Sequence, residues 1–99
     1  MVFGLLKGED VMVSKDLVIM NKTGLHARPA SKFVQIANDY KCEIYIEKEN
    51  TKINAKSIMG VMTLGASKGT KITIIAEGID ETEAIKVLSD LIESKFGEE

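Results

Sequence analysis

His26 is the only histidine in the 99 residues, and it stands in the stretch Gly24-Leu25-His26-Ala27-Arg28-Pro29-Ala30. Proline lacks an N–H and has a fixed φ, so Pro29 belongs in the first turn of a helix and no deeper. A helix therefore begins at or just after His26. The first N–H groups of that helix have no internal partners, and its dipole is positive there. A phosphate on His26 would meet those donors. Arg28, two residues on, could neutralise further charge with its forked guanidinium, and Lys22 and Lys32 are close in sequence. An unperturbed imidazole has a pKa of about 6.5, so it is largely neutral and nucleophilic near pH 7. Covalent carriage of a phosphoryl group is one reading of this stretch. A surface histidine that caps a helix is the other, and position alone does not separate them. A metal site lacks partners near His26, and no serine or cysteine stands in a recognisable nucleophile elbow.

Ser57 is the second candidate. It precedes Ile58-Met59-Gly60-Val61-Met62-Thr63-Leu64, and Gly65 closes the segment. A serine here suits the N-cap of a short helix, and the same position tolerates a phosphate. Ile58, Met59, Val61, Met62 and Leu64 are too many apolar residues for one short helix to bury. About half of them must be core. Ile58, Met59 and Met62 are expected to remain outside as an adaptable apolar patch beside the phosphate site, with Leu25 extending it from the other side.

The elements that must hold these residues follow from periodicity. Leu17-Val18-Ile19-Met20, ending at the turn cluster Asn21-Lys22-Thr23-Gly24, reads as a buried strand. Ala30, Phe33, Val34 and Ala37 fall on one helical stripe. Cys42, Ile44 and Ile46 alternate with polar partners, a polar turn follows at 48–50, and Ile53 and Ala55 mark the second arm of a hairpin. Ile72, Ile74 and Ala76 alternate in a fourth strand. Asp80 with Glu83 resembles a capping box for a last helix with its stripe on Ala84, Leu88 and Leu91. Lys95 suits the end of that helix and Gly97 suits its stop. The expected fold is α+β: an open-faced β-sandwich, a four-stranded antiparallel sheet with three helices on one face, in the order β-α-β-β-α-β-α.

Composition limits the rest. Apolar residues make up 44% and charged residues 28%, which suits one folded domain rather than disorder. A net charge of -2 argues against a general nucleic-acid binder. The single cysteine, Cys42, has no partner for an internal disulfide and reads as a buried strand residue. No apolar run reaches the roughly 20 residues a spanning helix needs. No cofactor and no metal are expected, nor membrane insertion, and the expected compartment is the cytoplasm. The domain is placed at residues 12–99. Residues 1–11 read as an upstream extension that need not be native, or as a short apolar arm that docks on the domain or a neighbour.

Thr23-Gly24-Leu25-His26-Ala27-Arg28-Pro29-Ala30 resembles the phosphohistidine signature of the HPr family. Lys56-Ser57-Ile58-Met59-Gly60-Val61-Met62-Thr63-Leu64-Gly65 resembles that family's second signature. The two occur in order and at the family's spacing, and the resemblance runs from about Met12 to Glu99. It implies a phosphocarrier rather than an enzyme. Phosphorylated Enzyme I would pass its phosphoryl group to His26, on the delta nitrogen in the family. Arg28 would stabilise the phosphate, and His26 would pass the group to EIIA domains that serve sugar import. The resemblance also implies phosphorylation of Ser57 by an HPr kinase/phosphorylase, making the chain a poor Enzyme I substrate and a corepressor for catabolite control protein A. A monomer is the simplest expected state. The competing readings are a regulatory HPr-like protein in catabolite repression or a nitrogen-regulatory branch, and, remotely, an independent hydrolase. His26 followed by Arg28 speaks against a purely regulatory protein.

Overall fold

The structure is a computed structural model that describes residues 12–98. The segment 1–11, expected to be an extension or a docking arm, lies outside the described residues. The elements are β1 (Val13–Val18), α1 (Ala27–Ala37), β2 (Glu43–Lys48), β3 (Thr51–Asn54), α2 (Ile58–Thr63), β4 (Lys71–Glu77) and α3 (Glu81–Glu93), with a 3-10 turn at Lys95–Gly97. The four strands form one antiparallel sheet in the order β1-β4-β2-β3. This is the expected α+β open-faced sandwich.

Register explains the single covered face. Leu17 pairs with Ile72, Ile46 with Ile74, and Ile44 with Ala76, so rows of branched or small apolar residues run across the strands. All of these side chains are buried. Strand side chains alternate between faces, so Asp16, Tyr45, Glu47, Thr73 and Ile75 point the other way and keep contact with water. Helix α1 packs Ala30, Phe33 and Ala37 into the core. Helix α3 adds Ala84, Ile85, Leu88 and Ile92. On α1, the stripe continues to the end: Asn38 returns both its backbone N–H and its side-chain amide to the Val34 carbonyl, each at 2.9 Å.

Three expectations change. The first strand is neither Leu17–Met20 nor fully buried. It starts at Val13, and Val18 and Met20 are 39% and 46% exposed. β1 is an edge strand on a one-sided sheet, so its outward residues and its polar start Ser14-Lys15-Asp16 break the apolar run that marked it. Ile19 still continues the pairing, donating to Thr70 O at 2.9 Å and accepting from Gly69 at 2.6 Å. The second change concerns Asp80. Its side chain does not cap α3. Its two carboxylate oxygens instead accept from the backbone N–H groups of Lys41 and Cys42, both at 2.9 Å, tying the start of α3 to the start of β2. Gly78 permits this approach, because a Cβ there would stand 2.7 Å from Cys42 Cα. Glu81 takes over the turn, accepting from the Gly78 N–H at 2.8 Å. The third change is at the end of α3. Gly97 is not an immediate stop. A left-handed turn with φ of 59°, 58° and 73° at Lys95, Phe96 and Gly97 folds Phe96 into the core.

The Lys41 N–H bond, followed by that of Cys42, holds the Asp80 carboxyl below the ordinary aspartate range. Burial, with Asp80 beside it, pushes the Cys42 thiol up to about 11, so it stays protonated and inert near neutral pH. A lowered carboxylate pKa stabilises the fold above the unfolded value of about 3.9, and that contribution is lost as pH falls through the folded value. Asp80→Asn should therefore lower the melting temperature at pH 7, and the gap to the parent should close as pH drops below about 4. Melting curves at stepped pH check this. A gap that stayed constant to pH 2 would remove the charge-assisted bonds from the account.

Candidate phosphoryl-acceptor site

His26 is the N-cap of α1, with extended backbone at φ -93° and ψ -165°. Its carbonyl accepts from the Ala30 N–H at 2.9 Å, which closes the first helical turn. Helix geometry then leaves the N–H groups of Ala27 and Arg28 without intrahelical acceptors, and Pro29 has no N–H to satisfy. The helix end thus presents two backbone donors beside the imidazole. His26, Ala27 and Arg28 are all exposed. Among the described residues, the side chains of His26 and Arg28 make no hydrogen bond or ion pair. The His26 imidazole does not act as a side-chain cap, so the plain capping reading loses its physical basis.

The turn before His26 is fixed by a close backbone approach. Leu25 N–H donates to Ala66 O at 2.8 Å. Gly24 lies at φ +67°, and a Cβ on it would stand 2.5 Å from that same carbonyl oxygen and 2.8 Å from Ser67 Cα. Only glycine meets both conditions. This contact brings the loop after α2 against the loop before α1. A shallow cleft of about 280 Å³ forms between them, lined by Thr23, Leu25, His26, Met62, Gly65, Ala66 and Ser67. Lys48 braces the loop after α2 by donating to the carbonyls of Leu64 and Gly65 at 3.2 and 3.3 Å. A larger hollow of about 480 Å³ lies on the sheet, around Asp16, Glu47, Lys71 and Thr73, and contains none of the candidate residues.

Ser57 caps α2 as its type suggested, its Oγ accepting from Gly60 N–H at 3.1 Å. Val61 and Leu64 are buried, while Ile58, Met59 and Met62 are 40%, 70% and 41% exposed. The division between core and outside therefore falls where the sequence placed it. Met62 reaches the His26 cleft, so the apolar surface and His26 adjoin. Leu25 is a correction. Only 4% of it is exposed, because the Leu25–Ala66 bond turns its side chain into the core, and it does not extend the outer patch. Lys32, close to His26 in sequence, donates its ammonium to the Phe96 carbonyl at 2.7 Å. The cleft residues Ala66 and Ser67 were not singled out as site residues in the sequence. Both are small loop residues, and only the fold places them opposite Gly24. Among the described residues no group of acidic, histidine or cysteine side chains could hold a metal.

The family model described as "PTS HPr component phosphorylation site" matches residues 13–94. The chain belongs to the HPr family. It is thus a phosphocarrier of the phosphotransferase system, and the two signatures lie inside the matched range. The phosphocarrier protein HPr of Neisseria meningitidis serogroup A is 47% identical over 87 residues, covering 88% of this chain and 98% of its own. The HPr-like protein Crh of Halalkalibacterium halodurans is 52% identical over 84 residues, covering 85% of this chain and all of its own. A crystal structure of HPr from Thermoanaerobacter tengcongensis superposes with a TM-score of 0.86 at 60% identity, covering 88% of this chain and 98% of that one. An HPr dimer from the same organism superposes at 0.71 with 62% identity, covering 83% and 94%.

Gly24→Ala should cost about 1–3 kcal/mol, since it meets both a left-handed backbone and the Ala66 carbonyl. Urea unfolding measures it. A loss below about 0.5 kcal/mol would mean that the two loops are not held at the described separation.

Proposed function

We propose that His26 accepts a phosphoryl group from phosphorylated Enzyme I and passes it to EIIA domains, with Arg28 and the N–H groups of Ala27 and Arg28 holding the phosphate. The observation that carries this reading is the placement of His26: a solvent-facing imidazole at the mouth of α1, beside two backbone donors and an exposed arginine. In the transfer, an unprotonated ring nitrogen forms the bond to phosphorus as the donor's bond to phosphorus breaks. Family resemblance assigns that nitrogen as the delta one. The charge arriving with the phosphate is met by fixed dipoles that need no reorganisation and by a mobile cation.

The shallowness of the cleft supports a carrier. A carrier must release its group to the next acceptor, so the phosphoryl group has to stay accessible and only moderately held. Among the described residues, those lining the cleft lie within 23–26 and 62–67 of one chain, which supports a monomer. The apolar surface of Ile58, Met59 and Met62 would dock the larger partners, since methionine conforms to differing shapes. The residues described hold no helix long and apolar enough to cross a membrane. We place the domain at residues 12–99 and the protein in the cytoplasm, where its partners would meet it.

Ser57 supports a regulatory branch on the same chain. Its hydroxyl is partly exposed at the head of α2, and one relative carries the name HPr-like protein Crh. Phosphorylation there by an HPr kinase/phosphorylase would put about two negative charges beside Ile58 and Met59. That would weaken docking of Enzyme I through this patch and create a new surface for catabolite control protein A.

Phosphoenolpyruvate and purified Enzyme I should add one acid-labile phosphate to the parent chain and none to His26→Ala, as read by intact mass. An unmodified parent, with an Enzyme I active on another HPr, would refute the assignment. Arg28→Glu should slow transfer by at least tenfold at an unchanged melting temperature, because the exposed guanidinium works on the phosphate and not on the fold. Met59→Glu should also fold normally yet raise the KM for Enzyme I and for EIIA. An unaltered KM for both would take the patch out of the docking surface.

A further inference from the structure

The turn after α3 makes contacts that neither the fold nor the phosphate site accounts for. Phe96 is 1% exposed, and it reaches that position through two successive non-glycine residues in the left-handed region. Such backbone persists only where its surroundings over-determine it. Here three side-chain contacts tie the turn to the neighbourhood of His26. Lys32, on α1, donates to Phe96 O at 2.7 Å. Glu98 Oε1 accepts from the buried Asn21 side-chain amide at 3.3 Å and from Thr23 Oγ1 at 3.3 Å. Asn21, itself only 1% exposed, also donates to the Gly24 carbonyl at 2.9 Å. The path from the buried Phe96 to the turn that presents His26 is therefore continuous. It runs through Glu98, then Asn21 and Thr23, then Gly24. Thr23 lines the cleft that holds His26.

We propose that the turn at 95–98 is a clamp that holds the His26 loop in its transfer geometry, with Glu98 as a positioning residue acting through Asn21 and Thr23. The kinetic half of this proposal rests on the reading of His26 as the phosphoryl acceptor. Phe96 anchors the clamp and Lys32 fixes its angle to α1. Glu98 supplies the grip, because one carboxylate oxygen restrains two residues of a four-residue turn. The imidazole must meet the partner's phosphorus in line, and small errors in such placement are costly in rate.

The test compares Glu98→Ala and Glu98→Gln with the parent in the full chain. The glutamine keeps an acceptor oxygen at the same reach, so it should restore what alanine removes. Amide hydrogen exchange at Gly24 and Leu25, in the unphosphorylated protein, should rise about fivefold in the alanine variant and return to within about twofold of the parent with glutamine. The rate of transfer from phosphorylated Enzyme I should fall about fivefold and recover in the same pattern. Parent-like exchange at Gly24 and Leu25 in Glu98→Ala would overturn the clamp, as would faster exchange spread evenly over β2 and β4 with no rescue by glutamine. If the parent chain took no phosphoryl group at all, the assignment of His26 would fall, and the exchange arm alone would decide whether the clamp exists.

Discussion

The backbone of residues 24–25 lies directly against the carbonyl of Ala66, and the Leu25 N–H bond to that oxygen is 2.8 Å long. The organisation of the site depends on this contact. It joins the loop that enters α1 to the loop that leaves α2, two segments about forty residues apart in the chain. Without it, His26 and Met62 would stand on unrelated surfaces. Gly24 makes the approach possible, and Lys48 braces the opposite side by holding the carbonyls of Leu64 and Gly65. The sheet contributes by fixing where those loops begin and end. β1 delivers residues 19–24, and β2 delivers Lys48. The short α2, closed by its Ser57 cap, delivers Met62 and Leu64.

A local charge device is superimposed on that frame. The start of α1 offers the backbone N–H groups of Ala27 and Arg28 because Pro29 and the His26–Ala30 bond define the first turn without using them. Such donors are fixed before any phosphate arrives, whereas Arg28 is exposed and can adjust. This combination suits a group that must be held and then surrendered. In the proposed function the open surface serves the same end, since two successive large partners would have to reach the reacting atoms. The exposed apolar strip of Ile58, Met59 and Met62 would, in the same proposal, supply adhesion without a deep pocket.

Residues with strong local signals were legible in the sequence. Pro29 dated the start of α1, the alternation of β2 and β4 set the buried face, and Ser57 announced α2. The split of α2 into buried Val61 and Leu64 and exposed Ile58, Met59 and Met62 followed from crowding alone. What was not legible depended on neighbours distant in the chain. β1 lost its signal because an edge strand over a one-sided sheet places Val18 and Met20 outside. Asp80 looked like a cap because the local pattern allowed it, but the N–H groups of Lys41 and Cys42 competed better for its oxygens. Leu25 looked exposed because nothing near it in sequence shows the Ala66 carbonyl that turns it inward. Phe96 gave no periodic signal, since it is buried by a left-handed turn and not by a helical stripe. Lys32 was legible only as a basic residue close to His26 in sequence, with nothing nearby to show what it binds. Its partner is the carbonyl of that turn.

The central claim is that the mouth of α1 holds the phosphate on His26. The most direct test is an amide spectrum of the isotopically labelled chain before and after phosphorylation. The account predicts large downfield shifts of the Ala27 and Arg28 amides, as they become donors to phosphate oxygen, with the β2 and β4 amides unmoved. Phosphorylated His26 with Ala27 and Arg28 amides in their original positions would contradict it.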